Sequence, residues 1–231
     1  MDNQTRVAVV TGGAGGIGSA IVSALRESGH RTVVLDRVGD VECDLASATS
    51  TQRAAQTVLE RYGRCDVFVH CAGVFDAMPL HDFDLERWRD LMAVNVEAAL
   101  HLAKAFAPGM TSRQFGRIIF VSSDGHWIPA NADFLAYVTS KAALDGIMRA
   151  LAVSFGGDGI AVSSVAPGLT DTPLSRSVAG DDAIRDVVAA QVLKRRLTPE
   201  DAASAVAFLA SDGGEALTGQ VLTPNGGAVL R

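Results

Sequence analysis

The sequence predicts an α/β fold built on a mostly parallel, seven-stranded sheet, doubly wound with helices on both faces, in a single domain spanning residues 1–231. Three observations carry this. Short β-rich runs alternate with helical patterns along the whole chain, the arrangement that parallel sheets require. The first run breaks into a glycine turn that opens a helix. The second ends on an acidic residue, Asp36, 18 positions beyond the last glycine of that turn.

The chain is long enough for a sizeable core at 231 residues, with 48% apolar and 20% charged side chains and a mean hydropathy of +0.22. That composition argues against disorder. A net charge of −6 argues against nucleic acid or an anionic membrane as partner, since both demand basic surface. No charged-then-apolar leader or bilayer-length apolar run is visible, so a cytoplasmic location is expected. Cys43, Cys65 and Cys71 show no CxxC spacing, so neither a metal site nor a disulfide framework is expected.

Arg6–Thr11 forms the first β-rich run. Gly12-Gly13-Ala14-Gly15-Gly16-Ile17-Gly18 follows, then a helical pattern through Ile21, Val22 and Leu25. The pattern reads Thr11-Gly12-x-x-x-Gly16-Ile17-Gly18. A strand, glycine turn and helix N-terminus together form a diphosphate cradle: the backbone approaches closely, and free N–H groups and the helix dipole face the anion. The second run, Thr32–Asp36, places a carboxylate where an adenosine ribose diol would sit. A carboxylate there favours NAD over NADP. Arg37, the next residue, pulls the other way, because a guanidinium can hold a 2′-phosphate.

Val38–Leu45 leaves no room for a crossover helix between the second and third strands. Helical pattern runs from Ser47 to Leu59, and Cys65–His70 is a fourth strand leading into Cys71-Ala72-Gly73. One long helix is expected from about Leu85 to about Met110, with Asn95 inside it. Gly116–Ser122 is a fifth strand that runs into Ser123-Asp124-Gly125. The next helix carries Tyr137 and Lys141, which at i and i+4 share one face. An ammonium beside a phenol favours phenolate and moves the group from ~10 toward neutral pH. Ile160–Val165 ends at Pro167-Gly168. A further helix is capped at Thr198-Pro199-Glu200, and Gln220–Thr223 is the last strand. In such sheets ligands sit beyond the carboxyl ends of the strands. The turns after Thr11, Asp36, His70, Ser122 and Val165 all meet that edge.

Taken together, Thr11-Gly12-x-x-x-Gly16-Ile17-Gly18, Asp44, Ala72-Gly73, Asn95, Ser122-Ser123, Tyr137-x-x-x-Lys141, Pro167-Gly168, Thr172 and Asn225-Gly226-Gly227 resemble the short-chain dehydrogenase/reductase family, over about residues 5–228. The resemblance implies a Rossmann-like domain that binds NAD(P). It also implies hydride transfer between NAD(H) and a secondary alcohol or ketone. Tyr137 would be the general acid/base, and Lys141 would hold the nicotinamide ribose and lower the tyrosine pKa. Ser123 would hydrogen-bond the substrate oxygen, and Asn95 would support a relay water. Asp44 and Leu45 would lie at the adenine. Pro167, Gly168, Leu169 and Thr172 would hold the carboxamide end.

The resemblance further implies a homotetramer, with a homodimer as the alternative. The helices after residue 85 and after Tyr137 would then pack between subunits, with Ala98-Ala99, Ala103 and Ala142-Ala143 allowing close approach; the same alanines could equally pack on the chain's own sheet. Three departures stand out. Cys71 replaces the usual asparagine, which removes one polar support. Ser123 lies 14 positions before Tyr137, one more than the commonest spacing. The missing third helix opens the adenine side.

His126, Trp127 and Asp124 fall in the loop expected to line a substrate pocket. Residues 174–196 are expected as a short lid carrying Arg176, Arg185, Lys194, Arg195 and Arg196; the favoured reading is a solvated face, and the alternative is that one arginine meets a carboxylate-bearing substrate. The block from His126 to Ala136, of which residues 130 and 131 lie outside those the structure describes, and the acidic and cationic residues of the lid faintly resemble family members that oxidise cyclic diols next to a carboxylate. A non-catalytic dinucleotide-binding sensor or scaffold is the alternative from another functional class. The joint presence of Tyr137 and Lys141 favours the enzyme.

Overall fold

The computed structural model describes residues 5–129 and 132–230. Seven strands form one sheet: β1 (Val7–Thr11), β2 (Arg31–Asp36), β3 (Val41–Glu42), β4 (Val67–His70), β5 (Gly116–Val121), β6 (Ile160–Val165) and β7 (Val221–Leu222). Their order is β3-β2-β1-β4-β5-β6-β7, and every pairing is parallel. The order reverses between β1 and β4, so the crevice beyond their carboxyl ends is the natural ligand position.

The strands alternate their side chains between two apolar layers. Ala8 and Val10 point to one face, where α1 (Gly16–Glu27) and α7 (Pro199–Ala210) bring Ile21, Leu25, Val206 and Leu209. Val7 and Val9 point to the other. There α2 (Ala48–Tyr62), α4 (Ala98–Arg113) and α5 (Leu135–Phe155) supply Val58, Leu102, Phe106, Leu144 and Met148. Burial on both faces is why the strands read as nearly continuous apolar runs.

As expected, β2 and β3 are joined without a helix, by residues 37–40 alone; the Val34 N–H donates to Asp40 Oδ2 at 2.9 Å. The single long helix expected over 85–110 is instead three pieces. α3 (Leu85–Met92) passes into a π-helical segment, Ala93–Glu97, and then into α4. A π turn inside an α-helix costs regular hydrogen bonding and recurs at functional sites; here it is centred on Asn95.

Ala98, Ala99 and Ala103 are buried in the chain's own core, at 1%, 0% and 2% exposure. They pack within this chain's own core, the second of the two placements their size allows. Ala142, by contrast, is exposed. The lid region is helical: α6 (Pro173–Ala190), capped by Thr172 and broken at Gly180, where φ is +74°.

Candidate active site

The glycine turn is shaped by close backbone approach. Gly12 has φ +67°, and a Cβ there would stand 2.7 Å from Ala72 Cα. A Cβ on Gly18 would stand 2.0 Å from the Gly12 carbonyl oxygen. α1 therefore begins directly against the turn, and neither position tolerates a side chain. Its N-cap is Gly15, which supplies no side-chain cap, and its first turn carries no acid. The amide groups at this helix end are thus left for an anion, and a dinucleotide diphosphate fits.

Asp36 sits beside the turn, accepting from Ala14 N–H at 3.2 Å and from Arg37 N–H at 2.7 Å. Arg37 and Asp44 are exposed, and Leu45 and Ile17 are half-buried. Thr172 reaches the same turn, because a Cβ on Gly16 would lie 3.0 Å from Thr172 Cγ2. Pro167 O accepts from Asp124 N–H at 3.1 Å. Gly168 lies so close to Asn225 that a Cβ would come within 3.0 Å of its Cα. Leu169 is half-buried beside them. The structure thus gathers the sequence-derived cofactor residues along one sheet edge.

Tyr137 lies in the first turn of α5, and its phenol faces the Ser123 hydroxyl, which favours the phenolate. Phe75 packs edge-on against the phenol ring, centroids 4.7 Å apart. Ser122 is turned away to the Val165 carbonyl, so Ser123 is the serine at the phenol. Lys141 Nζ is buried, donates to Val121 O at 2.8 Å, and stands 5.7 Å from the centre of the Tyr137 ring. It converges with Asn95 Oδ1 on Gly73, the two atoms lying 3.2 and 3.6 Å from where a Cβ would stand.

The electrostatics differ from the sequence expectation. Burial pushes the Tyr137 phenol up to about 12, against the downward pull of the Ser123 hydroxyl. Burial also draws the Lys141 ammonium down to about 8, opposed by Cys71 and Asp145. Helical spacing gives adjacency but says nothing of burial, and desolvation is the largest influence on the phenol, with Asp124 and Cys71 adding to it.

The Asn95 side chain is fully engaged. Its Oδ1 accepts from Val74 N–H at 2.7 Å, and its Nδ2 donates to Val74 O at 3.0 Å and to Ser140 Oγ at 2.9 Å. Ser140 in turn donates to the Tyr137 carbonyl at 2.7 Å. Asn95 therefore ties the loop after β4 to the tyrosine helix, and only its backbone carbonyl faces a further donor. That donor is His70, which sequence reading treated only as a strand residue. The Thr11 hydroxyl accepts the Cys71 and Ala72 amides at 3.1 and 3.3 Å, so its one proton goes to His70 Nδ1 at 3.0 Å. His70 then donates from Nε2 to Asn95 O at 3.2 Å. Burial draws His70 down to about 3, which keeps this neutral tautomer.

His126 and Trp127 do not simply line a pocket. The His126 side chain is 7% exposed, and its Nε2 lies 3.2 Å from Asp145 Oδ2 on α5. Asp145 carried no sequence motif; its position four residues beyond Lys141, on the same helix face, was the available signal. The lid cations are engaged locally. Arg176 bonds Asp171 at 2.6 Å, Arg195 bonds Asp201 at 2.7 Å, and Arg185 bonds Asp182. Arg196 reaches Asp171 and Asp181, each at 3.4 Å, and Lys194 donates to Ala189 O at 2.6 Å.

A family model described as enoyl-(acyl carrier protein) reductase matches residues 12–229. The chain is 32% identical over 246 residues to the 3-oxoacyl-[acyl-carrier-protein] reductase FabG of Vibrio cholerae, covering 100% of both chains. It is 32% identical over 241 residues to the cis-4-hydroxycyclohexanecarboxylate dehydrogenase of Sinomonas cyclohexanicum, covering 96% of each. Among solved structures, one titled a putative NAD(P)-dependent gluconate 5-dehydrogenase from Beutenbergia cavernae, with bound NADP at low occupancy, superposes with a TM-score of 0.90. Sequence identity there is 32%, over 96% of each chain. No helix among the described residues is long and apolar enough to cross a membrane. With nearly its whole length matched, and with relatives that are dehydrogenases and reductases by name, the chain belongs to the short-chain dehydrogenase/reductase family of NAD(P)-binding oxidoreductases.

Proposed function

We propose that the chain moves hydride between NAD(H) and a secondary alcohol or ketone, with Tyr137 as general acid/base. The observation that carries this is the Ser123 hydroxyl on the Tyr137 phenol, with the Lys141 ammonium 5.7 Å from the ring, at the carboxyl edge beside the glycine turn. Ser123 and Tyr137 together hold one substrate oxygen. Tyr137 takes the hydroxyl proton in oxidation and returns it in reduction. The cofactor, when bound, accepts or supplies the hydride.

Lys141 has its charge aimed at the same cleft and would hold the nicotinamide ribose. The uncapped N-terminus of α1 would hold the diphosphate, and Asp36 the adenosine ribose. A carboxylate at that point repels a 2′-phosphate, so NAD is the preferred cofactor. The exposed Arg37 guanidinium is the residue that opposes this preference.

The substrate is a neutral alcohol or ketone. The Sinomonas relative's name points to a ring bearing a carboxylate. Against that, each of the five lid cations in this chain already has a partner within or beside the lid. A carboxylate substrate would have to displace one of them. NADH formation with a panel of secondary alcohols, wild type against Tyr137→Phe, tests the reaction. A loss of at least ~100-fold in kcat is expected for the variant. Equal turnover in the two proteins would remove Tyr137 from the mechanism.

A further inference from the structure

A second residue pair connects the two halves of the site. Ser123 and Tyr137 come from different elements: the loop after β5, and α5. The facing of these two side chains alone is a weak way to hold a loop. Two turns along α5 from Tyr137, the Asp145 carboxylate is buried, at 1% exposure, and neither oxygen has an aligned hydrogen-bond donor among the described residues. His126 Nε2 stands 3.2 Å from Asp145 Oδ2, with both side chains nearly buried. The other ring nitrogen, Nδ1, donates to the Ser123 carbonyl. That carbonyl can only accept, so Nδ1 carries its proton and Nε2 is the ring nitrogen turned toward the carboxylate. The loop is tight around this point. Gly125 N–H donates to Ser123 Oγ at 3.2 Å, and Trp127 N–H to Asp124 O at 2.9 Å.

From this geometry we infer that His126, oriented by Asp145, is a positioning residue that clamps the backbone of Ser123 onto the helix bearing Tyr137. α5 thereby supplies both ends of a closed path: Tyr137 to the Ser123 hydroxyl, the Ser123 carbonyl to His126, and His126 to Asp145. Ser123 is held through its side chain and its backbone at once. This rests on the reading of Ser123 as the group that holds the substrate oxygen. A catalytic group displaced by about 1 Å can lose up to ~100-fold in rate, which sets the scale of the effect.

Three variants test the clamp. His126→Ala removes it. His126→Asn keeps a donor where Nδ1 stands and gives up Asp145. Asp145→Asn keeps volume and removes the carboxylate. Amide hydrogen exchange over residues 122–127, read by mass spectrometry, needs no substrate. It is expected to speed up by ~10-fold or more in His126→Ala and Asp145→Asn, with β5 unchanged. With any alcohol the wild type oxidises, kcat is expected to fall ~10–100-fold in His126→Ala, while NADH affinity by nucleotide fluorescence stays within about twofold. His126→Asn, which no longer reaches Asp145, is expected to stay near the kcat of His126→Ala, and the His126→Ala/Asp145→Asn double variant is no slower than His126→Ala.

Unchanged exchange over 122–127 overturns the clamp whether or not a substrate is in hand. A loosened loop with unchanged kcat, or additive losses in the double variant, overturns the positioning role. If the loop loosens as expected but the wild type oxidises none of the panel, the clamp stands and the proposed reaction falls.

Discussion

Replacing Lys141 by methionine is expected to stabilise the fold at neutral pH while removing catalysis. Lys141 is 4% exposed, and burial draws its ammonium from 10.5 down to about 8. That difference corresponds to about 3 kcal/mol of destabilisation carried by the charged amine in the folded chain. The sign follows from proton binding. The folded state holds this proton less tightly than the unfolded state does. The cost is therefore complete below pH 8 and fades as pH rises through 10.5.

Methionine has similar length and no charge, but it leaves Val121 O without the 2.8 Å donor, a loss of about 1 kcal/mol. The net expectation is a gain of about 2 kcal/mol at pH 7 and a small loss near pH 11. Urea denaturation of both proteins at fixed concentration and at both pH values reads this directly. A methionine variant less stable at pH 7, or an equal difference at the two pH values, would refute the idea that buried charge is what Lys141 costs the fold.

Other outcomes follow from the same geometry. Asn95→Ala strips three hydrogen bonds from a fully buried position and is expected to cost about 2–4 kcal/mol, or roughly 5–10 °C in Tm; a loss under about 2 °C would show that the π turn holds itself. Asp36→Ala is expected to shift the ratio of kcat/KM for NAD over NADP by ~10-fold or more toward NADP, and an unchanged ratio would remove Asp36 as the selector. Light scattering at micromolar concentration is expected to give a homotetramer, or failing that a dimer, and a monomer would end the oligomer reading.

What could be read from the sequence was local. The glycine turn, the acid at the end of β2 and the Tyr137–Lys141 spacing are each encoded within about a dozen residues, and each stands where its pattern put it. Counting from the strand start selected Ser123 over Ser122, and the structure sets Ser123 at the phenol. The misses are all long-range. Helical periodicity over 85–110 could not reveal a π turn stabilised by Val74 and Ser140, 21 and 45 residues away. Small alanines at 98, 99 and 103 suit a subunit contact as well as a sheet, and only the packing of α4 in the fold decides between them. The direction of the Tyr137 shift depended on burial, which no spacing reports.

The replacement of asparagine by Cys71 shows how such a loss is absorbed. Sequence comparison with the family suggested weaker support for the loop after β4. In the fold, the Cys71 and Ala72 amides are both held by the Thr11 hydroxyl, and His70 relays that contact to the π turn at Asn95. Backbone support thus comes from β1 and from the neighbouring histidine, with no side-chain amide at position 71. The thiol is free to be merely apolar there, and burial pushes it up to about 11, so it stays protonated beside Lys141. A neutral group at that point leaves the lysine's charge uncompensated by the thiol, with Asp145 among the groups that favour the ammonium. The relay of Thr11, His70 and Asn95 therefore maintains the loop geometry without adding a competing charge to the place where proton transfer is proposed.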